Sequence, residues 1–338
     1  PYLGSPNFNV GLTPVVLALA PLDLLGLSAQ AIFAISHVAL WLIAAAGAAR
    51  LGRALSPSAS SWTGLATAAC YLANPYAVVG GSTLAVLLPY AFLPWMAYAL
   101  VRALREPASW RWPAAAALAF FAQSGMNVAV IPIFQLLAVP PIALAVGRAA
   151  GLTWRRIGLV LAKCAVFVAG VSLYWLLPSL TATATGQQIV AGSETVDGIA
   201  RVSSLTEVLR GLGIWTLYGT GPDGPWVPQY AAYETNSVIV VASLLWPVVA
   251  LLALVVAGRT LRRTAALLIG TGAVTMVGLY AAAGPTPIAL LVARLFDTIS
   301  PLLAFRTTNK AGAVLTLGFT LALGHAVPIW WRPARSRV

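Results

Sequence analysis

The chain has 338 residues, 60% of them hydrophobic and 8% charged, with a formal net charge of +12. A soluble domain carries about 25% charged residues, so this composition points to an all-α, polytopic integral membrane protein. The positive charge is dispersed over short loops between apolar stretches, which argues against nucleic acid as a partner and for loops retained on the cytoplasmic face of a bilayer.

The cations fall in clusters: Arg50/Arg53, Arg102/Arg105/Arg111, Arg148/Arg155/Arg156, Arg259/Arg262/Arg263 and Arg332/Arg335/Arg337. Of the eight acidic residues, only Glu106 joins a cluster. Cationic loops stay inside, so each loop acquires a side. The polar set left outside includes Arg201, Arg210, Arg294, Arg306, Lys310, Glu194, Asp197, Glu207, Asp223, Glu234 and Asp297.

In chain order, the first apolar stretch, 10–27, holds Pro14, Pro21 and Asp23 and reads as a short helix at the outer face. About nine spans follow: 31–50, 62–71, 84–101, 113–123, 128–146, 157–178, 236–257, 264–283 and 313–331. Pro132, Pro140 and Pro141 should kink the fifth. The segments are therefore 1–30, the end of a first outer loop with an interfacial helix; 31–178, the first part of the transmembrane core; 179–235, an outer loop; 236–331, the second part of the core; and 332–338, a basic cytoplasmic tail. The chain opens in mid-loop at Pro1-Tyr2 and is expected to be a piece of a longer protein.

Within the outer loop, Ser204-Leu205-Thr206-Glu207 has capping-box spacing. Leu205, Val208, Leu209, Leu212 and Trp215 then follow a helical stripe, predicting an interfacial helix across 204–218. Pro222, Pro225 and Pro228 with Trp226, Tyr230 and Tyr233 make a stiff aromatic loop suited to stacking on a sugar or to anchoring in the interface. A second outer element should start with Thr286 as cap and Pro287 at the first helical position, and be re-entrant or interfacial. Arg306 and Lys310 are four apart, so a helix beginning there would present both on one face. Two cations at an outer helix start fit an anionic partner such as a lipid phosphate, or a structural pair with Asp297 or Glu234.

No P-loop, GxGxxG, HExxH or CxxC occurs, and Cys70 and Cys164 fall inside predicted helices as packing residues. His37 and His325 are single residues within spans. Ion-coupled transport draws on ionisable groups near the membrane midplane, and these are scarce here.

The Asn74-Pro75 turn followed by Leu88-Pro89-Tyr90-Ala91-Phe92-Leu93-Pro94-Trp95 resembles GT-C membrane glycosyltransferases, as does the stretch 7–54. Four further motifs, in order, resemble the actinobacterial α-(1→3)-arabinofuranosyltransferase family. They are Gly125-Met126-Asn127, Tyr174-Trp175-Leu176-Leu177-Pro178, Ser203 to Gly211 with Trp215, and Phe305-Arg306 with Lys310. One departure follows Lys310, where Ala311-Gly312 stand in place of the family's aromatic and acid.

The resemblance implies a GT-C bundle that transfers arabinofuranose from a polyprenyl-phosphate donor to a polysaccharide acceptor, a cell-envelope arabinan, on the outer face of the plasma membrane. It also implies a catalytic carboxylate on a first outer loop, upstream of Pro1. An inverting transfer needs that base and cationic stabilisation of the leaving phosphate. Arg306 and Lys310 are the candidates for the phosphate, with Arg201 and Arg210 in reserve. Glu194, Asp197, Trp226, Asn127 and Asn7 are candidates for the acceptor or sugar. A divalent cation bridging phosphate and carboxylate is compatible with this set. A GT-C transferase for another lipid-linked sugar, such as mannose, and a non-catalytic lipid-linked glycan transporter are the alternatives.

Overall fold

A computed structural model describes residues 8–56, 60–123, 130–181, 195–277 and 287–331. Asn7, Asn127, Glu194, Thr286 and the 332–338 tail lie outside the described residues.

The N-terminal stretch forms α1 (Thr13–Leu24), which at 12 residues is too short to span. Then come α2 (Ala29–Leu55), α3 (Trp62–Leu72), α4 (Pro75–Gly80), α5 (Leu84–Arg105) and α6 (Arg111–Gln123). They are followed by α7 (Val130–Gln135), α8 (Val139–Ala149) and α9 (Trp154–Thr181). The loop beyond carries α10 (Val196–Arg201), α11 (Leu205–Leu209), a hairpin of β1 (Thr220–Gly221) and β2 (Gly224–Pro225), and α12 (Ala232–Thr235). The chain returns through α13 (Ser237–Val256), α14 (Arg259–Val277), α15 (Pro287–Thr298) and α16 (Gly312–Trp330).

Six helical stretches, not nine, are long and apolar enough to cross a membrane among the described residues: Ala29–Leu55, Leu84–Arg105, Val130–Ala149, Trp154–Leu180, Ser237–Val256 and Thr308–Trp330. The other three expected spans are helices that fall short of that standard. At about 1.5 Å per residue, α3 rises only about half of a bilayer core before Asn74-Pro75 starts a new helix. Between Gln123 and Val130 the structure is not described, and α6 has 13 residues. Arg259, Arg262 and Arg263 occupy the first turns of α14. The proline-rich fifth span breaks as expected: a 3-10 turn over Leu136–Ala138 separates α7 from α8, which takes Pro140 at its start.

Backbones approach closely where side chains are small. A β-carbon added at Gly52 would lie 2.4 Å from the Thr67 hydroxyl oxygen, and one added at Gly324 would lie 2.2 Å from it. Thr67 of α3 is thus clamped between α2 and α16, the small-residue packing that draws membrane helices together.

The basic clusters converge on one end of the bundle. Arg105 donates to the Ala54 carbonyl at 2.8 Å, tying the end of α5 to that of α2. A small cleft lined by Arg105, Ala149, Ala150 and Thr260 adds the end of α8 and the start of α14. His325 lies 3.1 Å from the Ser56 hydroxyl, so the last turns of α16 are at this end as well. The start of α16, with Arg306 and Lys310 just before it, is therefore at the opposite end, as is the α3–α4 turn.

Candidate functional site

That far end is organised by Asn74, which is 1% exposed. Its side-chain oxygen caps α4 by accepting from Ala77 N at 2.9 Å, and its amide donates to Tyr71 O at 2.7 Å and the Tyr90 hydroxyl at 2.9 Å. Tyr71 and Tyr90 stack with centroids 4.1 Å apart. The Asn-Pro-Tyr motif thus builds a rigid platform at the opening of α4, and Tyr76 reaches from it to Gly312.

Arg306 sits on that platform's neighbour. The expected single helix carrying Arg306 and Lys310 on one face does not form. A 3-10 segment, Ser300–Phe305, ends at Arg306, and a second, Thr308–Ala311, leads into α16. The break comes at Thr307, whose backbone is non-helical, and Thr308 donates through its hydroxyl to the Met276 carbonyl at 3.4 Å. Arg306 is only 5% exposed and donates to the Leu303 carbonyl at 2.7 Å. Phe305 meets Phe134 edge-on, with 6.0 Å between centroids. Lys310 is half-buried. A nearly buried guanidinium and an ammonium therefore share one short stretch at the end of the bundle away from the arginine clusters.

The interfacial helix expected over 204–218 is a single turn, Leu205–Leu209. Gly211 and Gly213 end it with φ of +77° and +75°, a conformation that glycine alone adopts without strain. Half of the capping box forms: Ser204 accepts from Glu207 N at 3.2 Å. Glu207 does not reach back. Its carboxylate accepts from Arg210 at 2.5 Å and from the Tyr218 hydroxyl. Arg210 is 6% exposed and also donates to Ser243 Oγ at 2.9 Å and Tyr233 O at 2.6 Å. Burial, then the hydrogen bond to Glu207, pushes the Tyr218 phenol well above the usual tyrosine range. Burial likewise raises Tyr233.

Two further candidates neutralise one another. Arg201 and Asp197 form an ion pair at 2.9 Å across one turn of α10, both largely exposed, a geometry that contributes little stability. Beneath them Ile199, Ala200 and Phe296 bring α10 onto α15, with Trp215, Leu302 and Leu303 packed against them. Trp226 projects from the β hairpin, 55% exposed, with its ring edge-on to Trp215 at 5.5 Å. A β-carbon on Gly219 would fall 2.1 Å from the Trp226 ring, so glycine is what lets the indole lie flat over the hairpin. Leu303, whose carbonyl accepts from Arg306, and Trp215, which meets Trp226, pack against the same Ile199–Ala200–Phe296 cluster.

Tyr174, the head of the Tyr-Trp-Leu-Leu-Pro motif, donates to Gly11 O at 3.4 Å and meets Phe121 edge-on at 5.5 Å, joining α9 to the N-terminal turn and α6. Among the described residues no group of three or more His, Cys, Asp or Glu side chains converges to hold a metal ion. The Glu207–Arg210–Tyr218 network was not anticipated from the sequence, where Glu207 was read as part of a capping box and Arg210 as a reserve cation for the phosphate. Their i, i+3 spacing was the available signal.

The fold is a multi-pass helical membrane bundle with polar loops at the end away from the basic clusters. The profile described as Alpha-(1->3)-arabinofuranosyltransferase, N-terminal GT-C domain, matches residues 14–338, and the chain belongs to that family. The cryo-EM structure of arabinofuranosyltransferase AftD from mycobacteria is similar in fold, with a TM-score of 0.61 and 20% identity over 95% of this chain. The chain spans 20% of the length of that protein. No curated protein matches it.

Proposed function

We propose that the chain is the membrane core of a glycosyltransferase that moves arabinofuranose from a polyprenyl-phosphate donor to a cell-envelope arabinan. The transfer takes place on the outer side of the plasma membrane. Family membership supports the transferase class, and the convergence of the basic clusters on the opposite end supports an outward-facing site.

The observation that carries the reading is Arg306, 5% exposed at the start of the last span, with Lys310 four residues on. In an inverting transfer a carboxylate takes the acceptor hydroxyl proton while that oxygen bonds to the anomeric carbon. The bond from that carbon to the lipid phosphate breaks, and the negative charge grows on the phosphate. A guanidinium held out of water stabilises that charge more than one in solvent, because the surrounding dielectric is low. Lys310 adds a second positive charge. Trp226 would stack on the acceptor glycan, a role its exposure supports, and Asp197 and Arg201 lie on α10, which packs with Trp215 through Ile199 and Ala200.

The test is transfer by the full-length protein in vesicles, comparing polyprenyl-phosphate arabinofuranose with polyprenyl-phosphate mannose as donor. Arabinofuranose transfer alone is the expected result. Transfer of mannose alone would replace the sugar, and movement of the lipid across the bilayer without transfer would replace the function.

A further inference from the structure

A concave feature lies at the basic end, away from the proposed catalytic site. It is a cleft of about 610 Å³ where Arg50 and Arg53 of α2 face Arg102 and Arg105 of α5. Ser60 and Ser61, which lead into α3, line the same cleft.

Retention of cations on one side of a membrane requires no such convergence. Four guanidinium groups around one cleft repel one another, and a single acid, Glu106, lies beside them. Glu106 is already engaged by Arg102 at 2.5 Å and by Trp112 at 2.8 Å. Those two donors hold its carboxyl below the usual range. The other arginines are positioned but not neutralised. Arg50 lies over the Trp95 ring at 4.6 Å, and Arg105 donates to the Ala54 carbonyl. The Arg53 guanidinium makes no hydrogen bond to a described residue, and each guanidinium carries five N–H donors. The third wall is the N-terminal turn of α3. Its capping residue, Ser61, makes no side-chain capping bond, while Ser60 Oγ accepts from Trp62 N at 3.3 Å, and the partial positive charge of that helix end lies beside the two lining serines.

We propose that this cleft binds the phosphate group of an anionic phospholipid from the leaflet at the basic end of the bundle. Arginine forks match phosphate oxygens in pairs, and basic clefts between span ends are where anionic headgroups lodge. The depth favours a lipid over a free phosphate ion. Trp62, the first residue of α3, is 66% exposed beside the cleft, and Trp110 is 58% exposed on the loop after α5. Exposed indoles at span ends mark headgroup level. This site is independent of the sugar-transfer reading, since it lies at the other end of the bundle.

The experiment purifies the full-length protein in detergent and adds mixed micelles of phosphatidylglycerol, of phosphatidylcholine, or inorganic phosphate. Retained lipid is read by native mass spectrometry and protection by the thermal midpoint. Phosphatidylglycerol should be retained and protective, and phosphatidylcholine not. Arg53→Gln with Arg105→Gln should weaken retention roughly 30-fold, while Arg155→Gln with Arg156→Gln, which removes the same charge from another basic loop, should leave it unchanged. Arg53→Gln alone, which breaks no hydrogen bond to a described residue, covers the case in which loss of the Ala54 contact unfolds the protein, and should weaken retention roughly 5-fold. Inorganic phosphate protecting as well as the lipid, with the same arginine dependence, would move the source from lipid to soluble anion and overturn the lipid assignment. Equal losses in both double variants would overturn the site, since general charge attraction would then explain the binding.

Discussion

Tyr76 lies against Gly312 so closely that a β-carbon at Gly312 would fall 2.3 Å from the tyrosine ring. The contact joins the Asn-Pro-Tyr platform to the start of the last span, two residues after Lys310. It also explains why small residues follow Lys310 here: Ala311 and Gly312 are both buried, and the ring of Tyr76, 2% exposed, has nowhere to go.

Gly312→Ala should therefore destabilise the protein by about 1–3 kcal/mol, an overpacking penalty. Thermal midpoints in detergent will show it. In a Tyr76→Ala background the same substitution should cost far less, because the two residues are coupled by contact. Equal costs in both backgrounds would mean the ring is not what limits this position.

The Arg210–Glu207 pair makes a second prediction. With side chains 8% and 20% exposed, removing the cation leaves a carboxylate largely out of water. Arg210→Ala should cost about 3 kcal/mol of stability while leaving activity per folded molecule near normal. Replacing both residues by Met should recover much of the loss. A normally stable Arg210→Ala protein with collapsed transfer would return Arg210 to the donor site.

Tyr218 sets a pH dependence. Its folded-state pKa is raised above the unfolded value of about 10, so above that pH the native state keeps a proton that the unfolded chain releases. The stability it contributes is complete below about pH 10 and falls as pH rises beyond it. Thermal midpoints of the wild type and Tyr218→Phe, taken between pH 8 and 11, should converge as pH increases. A gap that widens with pH would contradict the hydrogen bond to Glu207.

The helical positions were legible because apolar length and flanking arginines both act locally: within the described residues each expected span coincides with helix. Span lengths were less so. α3 ends at Leu72 just before the expected Asn74-Pro75 turn, but its 11 residues fall short of a crossing. The helix expected over 204–218 also fell short. Its apolar stripe was real, since Val208 and Leu212 are buried, but Gly211 turns the chain to fit against Tyr76, a residue more than 100 positions away, and Gly213 turns it again beside Val202 and Met276. Arg201 and Asp197 were singled out separately and found paired to each other. The arginine clusters were read for topology alone, because convergence on a cleft is a property of the bundle and not of any one loop.

Trp226 tests the acceptor side. Its exposed indole, braced by Trp215 and Gly219, offers a flat apolar face. Removing the burial of such a ring against a sugar should cost about 1.5 kcal/mol, so Trp226→Ala should raise the acceptor KM about tenfold with the donor KM unchanged. Trp226→Tyr should retain most of the affinity. An unchanged acceptor KM in steady-state kinetics would leave the indole as an interfacial anchor only.

The most direct measurement is the rate of sugar transfer by full-length Arg306→Ala and Lys310→Ala proteins, from a polyprenyl-phosphate donor, at matched amounts of folded protein. If these side chains stabilise the departing phosphate, each variant folds and loses about 2–4 kcal/mol of transition-state stabilisation, roughly 30- to 1000-fold in kcat. Arg306→Lys should recover only part of the rate, because the paired N–H fork is lost. Wild-type kcat in both alanine variants would contradict the account and take the phosphate site away from the start of the last span.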